Sequence, residues 1–159
     1  MPIKTKIPGG NELLDPMKIL NKVGIEEGMK VGDLGCGGRA YFTLQTARLV
    51  GRRGVVYAVD ILKSALQSVE EETKAAGIYN VKTIWSNLEL YGATKIKDNE
   101  LDVALLINIL FQVEKRLAVL KETTRMTKPG GKLLIADWKK TGAPFGPPVN
   151  LRVSTTEVK

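Results

Sequence analysis

A chain of 159 residues, 43% of them hydrophobic, has the size of one domain around one core, with no room for a separate substrate domain. It carries 24 basic against 17 acidic residues, a net charge of +7, with one cysteine and no histidine. These numbers exclude an internal disulfide, any mechanism built on a histidine base and, in practice, a zinc site; a proton acceptor has to be a carboxylate, a lysine, a tyrosine or water.

Along the chain, residues 1–10 read as a loose arm ending in Pro8-Gly9-Gly10. Asp15 as N-cap and Pro16 at the first helical position then open a helix reaching about Val23. A strand is expected over Lys30–Leu34, a helix over Ala40–Val50 ended by Gly51, and an apolar buried strand over Val55–Val59. A helix follows over Lys63–Ala76, with Gly77 as its terminating glycine, and then a strand over Val81–Trp85. A polar loop carrying Asn87 and Glu89 leads to strand Leu101–Ile107, and a helix runs from about Val113 to Met126. Lys128-Pro129-Gly130-Gly131 reads as a tight turn into a last strand, Lys132–Ala136, followed by a tail over residues 139–159.

Strands alternating with helices predict a doubly wound α/β fold, a parallel sheet of about five strands in the order 3-2-1-4-5 with helices on both faces. Ligands are then expected at the carboxyl ends of the strands. In the tail, Ser154-Thr155-Thr156-Glu157 has the capping-box pattern that opens a helix. The last strand is expected at a sheet edge, where a second copy or the Pro144–Pro148 region would cover it; a homodimer through that edge or the tail follows as an expectation. No apolar run approaches the roughly 20 residues of a membrane helix, and Met1–Lys6 lacks a signal-peptide core, so a cytoplasmic location is expected.

The most informative stretch is Val31-Gly32-Asp33-Leu34-Gly35-Cys36-Gly37-Gly38-Arg39, a strand running into a glycine-rich turn that opens a helix. Such a turn lets a ligand press against bare backbone near the positive end of a helix. One strand later Asp60 can accept two hydrogen bonds from a ribose diol. Together they describe a pocket for a nucleoside-containing cofactor.

In order and spacing, Asp33-Leu34-Gly35-Cys36-Gly37, Asp60, Asn87-Leu88-Glu89, Asn108-Ile109-Leu110 and Lys128-Pro129-Gly130-Gly131-Lys132-Leu133 resemble a class I, Rossmann-like S-adenosylmethionine-dependent methyltransferase. The resemblance runs from Leu13-Leu14-Asp15-Pro16 to Gly146-Pro147-Pro148 and implies one cofactor-binding domain over residues 1–159, lacking the family's usual final strands. It implies that Asp33 orients the turn and the cofactor's methionine end, that Gly35, Cys36 and Gly37 let backbone approach that end, and that Asp60, with Ile61 beside it, holds the ribose. It further implies that Asn87 and Leu88 meet the adenine, Asn87 where an aspartate is usual, and that Asn108 offers its carbonyl to the cofactor's ammonium group. Arg39 departs from the usual third glycine; Gly38 or Ala40 stands in for it, and Arg39 either crowds the cofactor's amino-acid end or reaches its carboxylate.

Cys36 reads as a small turn residue rather than a nucleophile. Asp137 and Lys139, just beyond the last strand, are the catalytic candidates by position, no metal is expected, and Trp138 could line a substrate cleft. Tyr41 and Phe111 could flank the transferring methyl group, and Asn108-Ile109-Leu110-Phe111 is not the proline-containing motif that grips planar amino groups. The basic charge favours RNA as methyl acceptor, whereas Pro129-Gly130-Gly131 and Gly146-Pro147-Pro148 look like small-molecule members of the family. Two other readings stay open. One is a non-catalytic relative that binds the cofactor or RNA. The other is an NAD-dependent oxidoreductase, since Gly35-x-Gly37-x-x-Ala40 fits the dinucleotide fingerprint.

Overall fold

In a computed structural model, which describes residues 13–158, five parallel strands lie in the order β3-β2-β1-β4-β5. The strands are β1 (Lys30–Leu34), β2 (Val55–Asp60), β3 (Val81–Trp85), β4 (Leu101–Ile107) and β5 (Thr127–Ala136). The helices are α1 (Pro16–Val23), α2 (Tyr41–Val50), α3 (Lys63–Ala75), α4 (Arg116–Met126) and a single turn, α5 (Thr155–Val158). The expected strand order and the two helical layers are therefore present. The expected loose arm lies outside the described residues.

The sheet is buried on both faces, which is why its central strands are almost continuously apolar. Along β4, Ala104 and Leu106 pack with Leu34, Val119 and Met126 under α4, while Val103, Leu105 and Ile107 pack with Val31, Val56, Phe42 and Leu20 under α1 and α2. A smaller group, Ala58, Leu66 and Val69 with Cys36 and Ala40, seats α3 against the glycine turn. This packing fixes the carboxyl ends of β1, β2 and β4 side by side.

Local signals act as the sequence predicts at α1, where the Asp15 carboxylate accepts the Met17 and Lys18 N–H groups at 3.1 and 3.3 Å. At the end of α3, Gly77 takes the left-handed conformation (φ 68°), and the Ile78 N–H returns to the Thr73 carbonyl at 2.9 Å.

Two boundaries differ. The Lys128-Pro129-Gly130-Gly131 segment is not a turn ahead of the last strand but part of β5: Thr127 already pairs with Leu101, and the register shifts before Val103 pairs with Lys132. Proline lacks the N–H a regular ladder needs and Gly130 has φ 78°, so the strand bulges here instead of breaking. Helix α4 starts at Arg116 rather than Val113, because 108–115 is held by other bonds. Gln112 donates to the Asn108 carbonyl at 2.6 Å, Arg116 Nε to the Leu110 carbonyl at 2.8 Å, and the Lys115 N–H to Glu89 at 2.6 Å.

The tail forms half of its capping box. The Ser154 N–H donates to the Glu157 carboxylate at 2.8 Å, while the Ser154 hydroxyl pairs with Thr156 instead. Among the described residues no helix is long and apolar enough to cross a membrane.

One buried ion pair braces the far face. Glu122 on α4 is fully buried; it accepts the Gly92 and Thr94 N–H groups at 2.7 and 3.0 Å and two bonds from Arg125 at 2.8 and 2.9 Å. Arg125 also donates to the Thr94 and Ile96 carbonyls, pinning the 90–98 loop. Burial disfavours the Glu122 charge, but the guanidinium and the two N–H groups outweigh it and hold the carboxyl at about 2. A carboxylate whose pKa is lowered on folding stabilises above its unfolded value and loses that contribution as pH falls towards the folded one. Glu122→Gln should therefore cost about 3 kcal/mol at pH 7 by urea unfolding. The gap to the parent chain should narrow as pH falls from about 4.5 towards 2. A gap constant over that range would remove the charge as its source.

Candidate functional site

The glycine turn is latched to β2 before any ligand is considered. The Gly35 and Cys36 N–H groups both donate to the Val59 carbonyl, at 2.7 and 3.0 Å, and the Gly37 N–H donates to Asp60 Oδ2 at 2.9 Å. The other Asp60 oxygen accepts the Leu62 N–H at 2.9 Å. Gly35 has φ 84°, and a Cβ there would sit 2.1 Å from the Ile109 side chain, so no other residue fits without displacement. A Cβ on Gly37 would meet nothing, so its backbone is open to a ligand.

The turn, the end of β2, the 86–89 loop and the segment after β4 surround a cleft of about 670 Å³. Of the sequence-predicted cofactor residues, Gly35, Cys36, Gly37, Asp60, Ile61, Asn87, Leu88 and Asn108 all line it, as do Arg39, Tyr41 and Phe111. Asp33 does not line it. Asp33 is 2% exposed beneath the turn, with Oδ2 accepting the Thr43 hydroxyl at 2.6 Å. Burial pushes its carboxyl up to about 6, against the pull of Thr43 and with a further push from the Asp60 charge. Thr43 was not singled out in the sequence; its only signal is a hydroxyl in the first turn of α2.

Other details refine the assignments. Ala40, not Gly38, occupies the left-handed position ahead of α2 (φ 50°), so the turn carries one extra residue and Ala40 stands in for the third glycine. The Asn87 oxygen accepts the Glu89 N–H at 2.9 Å, which leaves one lone pair for an incoming amino group. The Asn108 carbonyl accepts from Gln112, and its N–H donates to the Ala136 carbonyl at 2.7 Å. Burial raises the Cys36 thiol, as do the Asp33 and Asp60 charges, so it is no thiolate.

Asp137, Trp138 and Lys139 lie elsewhere, in the lining of a second cavity of about 680 Å³ with Leu13, Ile135 and Val153. Asn108 lines both spaces. Asp137 Oδ2 accepts the Leu110 N–H and Oδ1 the Trp138 N–H, each at 2.8 Å; burial raises its pKa over the pull of these donors. Its geometry is that of a brace between the ends of β4 and β5.

The cleft offers acceptors that suit a nucleoside with a cationic amino-acid arm. Three consecutive turn N–H groups are already given to Val59 and Asp60. The lining includes the carboxylates Asp60 and Glu89, the polar side chains of Arg39 and Asn87, and the apolar side chains of Ile61, Leu62, Leu88 and Val113. The Asp60 carboxylate, with one lone pair free on each oxygen, matches a ribose diol.

Comparison with known proteins agrees. Residues 25–150 match a family described as a methyltransferase domain. The structure resembles that of an S-adenosylmethionine-dependent methyltransferase from Aquifex aeolicus, with a TM-score of 0.82, 32% identity, and coverage of 95% of this chain and 78% of that one. The demethylmenaquinone methyltransferase of Geobacillus stearothermophilus is 35% identical over 114 residues, which are 71% of this chain and 47% of that protein. A ubiquinone/menaquinone biosynthesis C-methyltransferase of Shewanella pealeana is 34% identical over 122 residues, 76% of this chain and 47% of that protein. The chain thus spans about half the length of the curated relatives it matches. A sheet of order 3-2-1-4-5, an Asp60-latched glycine turn and these matches together establish that the chain belongs to the class I S-adenosylmethionine-dependent methyltransferases, whose cofactor its cleft is shaped to hold.

Proposed function

We propose that the protein transfers the methyl group of S-adenosylmethionine to an apolar small molecule, with a quinol-type ring as the acceptor class. One observation carries this reading: the cofactor cleft and the second cavity, whose walls include Leu13, Ile135, Trp138 and Val153, meet at Asn108. The Geobacillus and Shewanella relatives, named as methyltransferases of menaquinone and ubiquinone biosynthesis, point the same way. RNA was favoured by net charge alone, and a cavity with a mostly apolar surface suits a ring better than a polyanion.

In this reading Asp60 holds the ribose hydroxyls, and Ile61 and Leu88 sandwich the adenine. Asn87 accepts from the adenine amino group, and the Asn108 carbonyl accepts from the cofactor's ammonium. When bound, the cofactor supplies a methyl group on a cationic sulfur, which leaves to a nucleophile while the sulfur keeps the bonding pair. The chain's contribution is placement and water exclusion, which is where most of the rate gain in such a displacement arises. Asp33 adds a buried negative charge beneath the turn that favours a cationic ligand. Asp137 acts as a positioning residue: by holding the Leu110 N–H it fixes the segment after Asn108, where the two spaces join. Lys139 stands on the acceptor side.

Calorimetric titration with S-adenosylmethionine should give micromolar binding, and Asp60→Ala should weaken it at least about a hundredfold, since two charge-assisted hydrogen bonds are lost. Unchanged affinity in that variant would overturn the placement of the ribose.

Protonating Asp33 removes the charge that favours the cation, so affinity should fall as pH drops through about 6. Thr43→Val, by deleting the hydroxyl that pulls the Asp33 pKa down, should move that break to higher pH. Affinity that is flat from pH 5 to 8 in both proteins would show that Asp33 does not sense the ligand.

With methyl-labelled cofactor, label should enter a short-chain demethylmenaquinol and not added total RNA. The reverse partition would replace the small-molecule reading with the RNA one.

A further inference from the structure

The second cavity carries a charge pattern that its apolar walls do not require. Arg152 lines it and is only 4% exposed. A buried guanidinium is ordinarily paired with a carboxylate. Among the described residues none lies within ion-pair distance; backbone carbonyls surround Arg152 instead. Nε donates to Pro147 at 2.9 Å, and Nη2 to Phe145 and Ala143 at 2.9 and 3.1 Å. Nη1 has only a 3.5 Å contact with the Lys139 carbonyl. Carbonyl dipoles solvate the cation without cancelling its charge.

The guanidinium lies 5.7 Å from the centre of the Trp138 ring, which packs T-shaped with Phe145, so one aromatic surface and one cation stand together in the wall. Lys139 adds a second cation to the same lining. Among the described residues the lining holds one acid, Asp137, whose two oxygens face the Leu110 and Trp138 N–H groups, so the two cations outnumber it. The cavity is therefore apolar in shape and positive in sign.

We infer that the second cavity is a site for an amphipathic anion, a ring packed on Trp138 and the aliphatic wall with a carboxylate or ionised enolic hydroxyl facing Arg152 and Lys139. This rests on the reading of the cavity as the acceptor's place and adds the charge of the acceptor to it. A loop clip alone would explain the carbonyl bonds of Arg152. It would not explain a second cation in a lining where, among the described residues, cations outnumber acids two to one.

The test compares 1-naphthoate with 1-naphthamide, the same ring with and without charge, by calorimetric titration. The parent chain should bind the naphthoate about tenfold tighter, the equivalent of roughly 1.4 kcal/mol, with the preference shrinking as salt is added. Arg152→Gln should abolish the preference, Arg152→Lys should keep part of it, and Lys139→Gln should reduce it, all with little change towards the naphthamide. Should Arg152→Gln fail to fold by near-ultraviolet circular dichroism, Lys139→Gln and the salt dependence decide. Equal affinity for the two probes, or a preference left undiminished by Arg152→Gln or by Lys139→Gln, overturns the anion assignment alone. Failure of both rings to bind removes the acceptor-cavity reading and this inference with it.

Discussion

Everything at the site depends on how the glycine turn is attached to β2. Three successive N–H groups, from Gly35, Cys36 and Gly37, end on the Val59 carbonyl and the Asp60 carboxylate. This attachment has two consequences that pull together. It holds the turn flat over the strand ends, so that the cleft opens beside Asp60. It also commits these three donors to the protein itself, so that Asp60 rather than the start of the turn is the polar group offered beside them. A fingerprint that in sequence fits both a dinucleotide and a sulfonium cofactor is resolved by the methyltransferase match over residues 25–150 rather than by the glycine spacing.

Two buried carboxylates show how differently the fold treats charge at a site and away from one. Glu122 receives four hydrogen bonds, two from a guanidinium, and is held ionised at any ordinary pH. Asp33 receives one side-chain hydrogen bond, from Thr43, and has the Asp60 carboxylate for a neighbour, so burial is only partly offset and its pKa rises to about 6. A purely structural carboxylate would be expected to resemble the first. An incompletely compensated negative charge, placed under a cleft meant for a cation, is what a binding site can use and a core cannot.

The sheet and most of the cofactor cleft were legible in the sequence because both rest on local or strongly periodic signals. The apolar runs of β2 and β4, the Asp15-Pro16 start, Gly77 and the Asp33-to-Gly37 turn each carry their own physical reason. What escaped rests on tertiary partners. The bulged start of β5 depends on Leu101 pairing with Thr127, and the late start of α4 depends on Glu89 and Arg116 holding the segment before it. Glu122 and Arg125 look like a surface i,i+3 pair until the 90–98 loop folds over them. Arg152 carries no motif at all, since its partners are carbonyls that only the folded tail assembles. Asp33 was expected to help orient the turn and the methionine end of the cofactor; its side chain lies beneath the turn, bonded to Thr43, a placement that carries no local signal.

The junction of the two spaces at Asn108 is braced from both strands, and that arrangement bears on how acceptor choice can vary. The Asn108 N–H is tied to Ala136 on β5, the Leu110 N–H is tied to Asp137, and Gln112 closes back onto the Asn108 carbonyl. The junction is thus fixed by bonds between β4 and the end of β5. Much of the second cavity's surface comes from side chains of residues 138–158. Those side chains can change in size or charge without loosening either the glycine turn or the β4–β5 brace, because neither set of bonds passes through them. The two cavities are in this sense mechanically separate, so that under the proposed function acceptor choice could change while the cofactor cleft stays as it is.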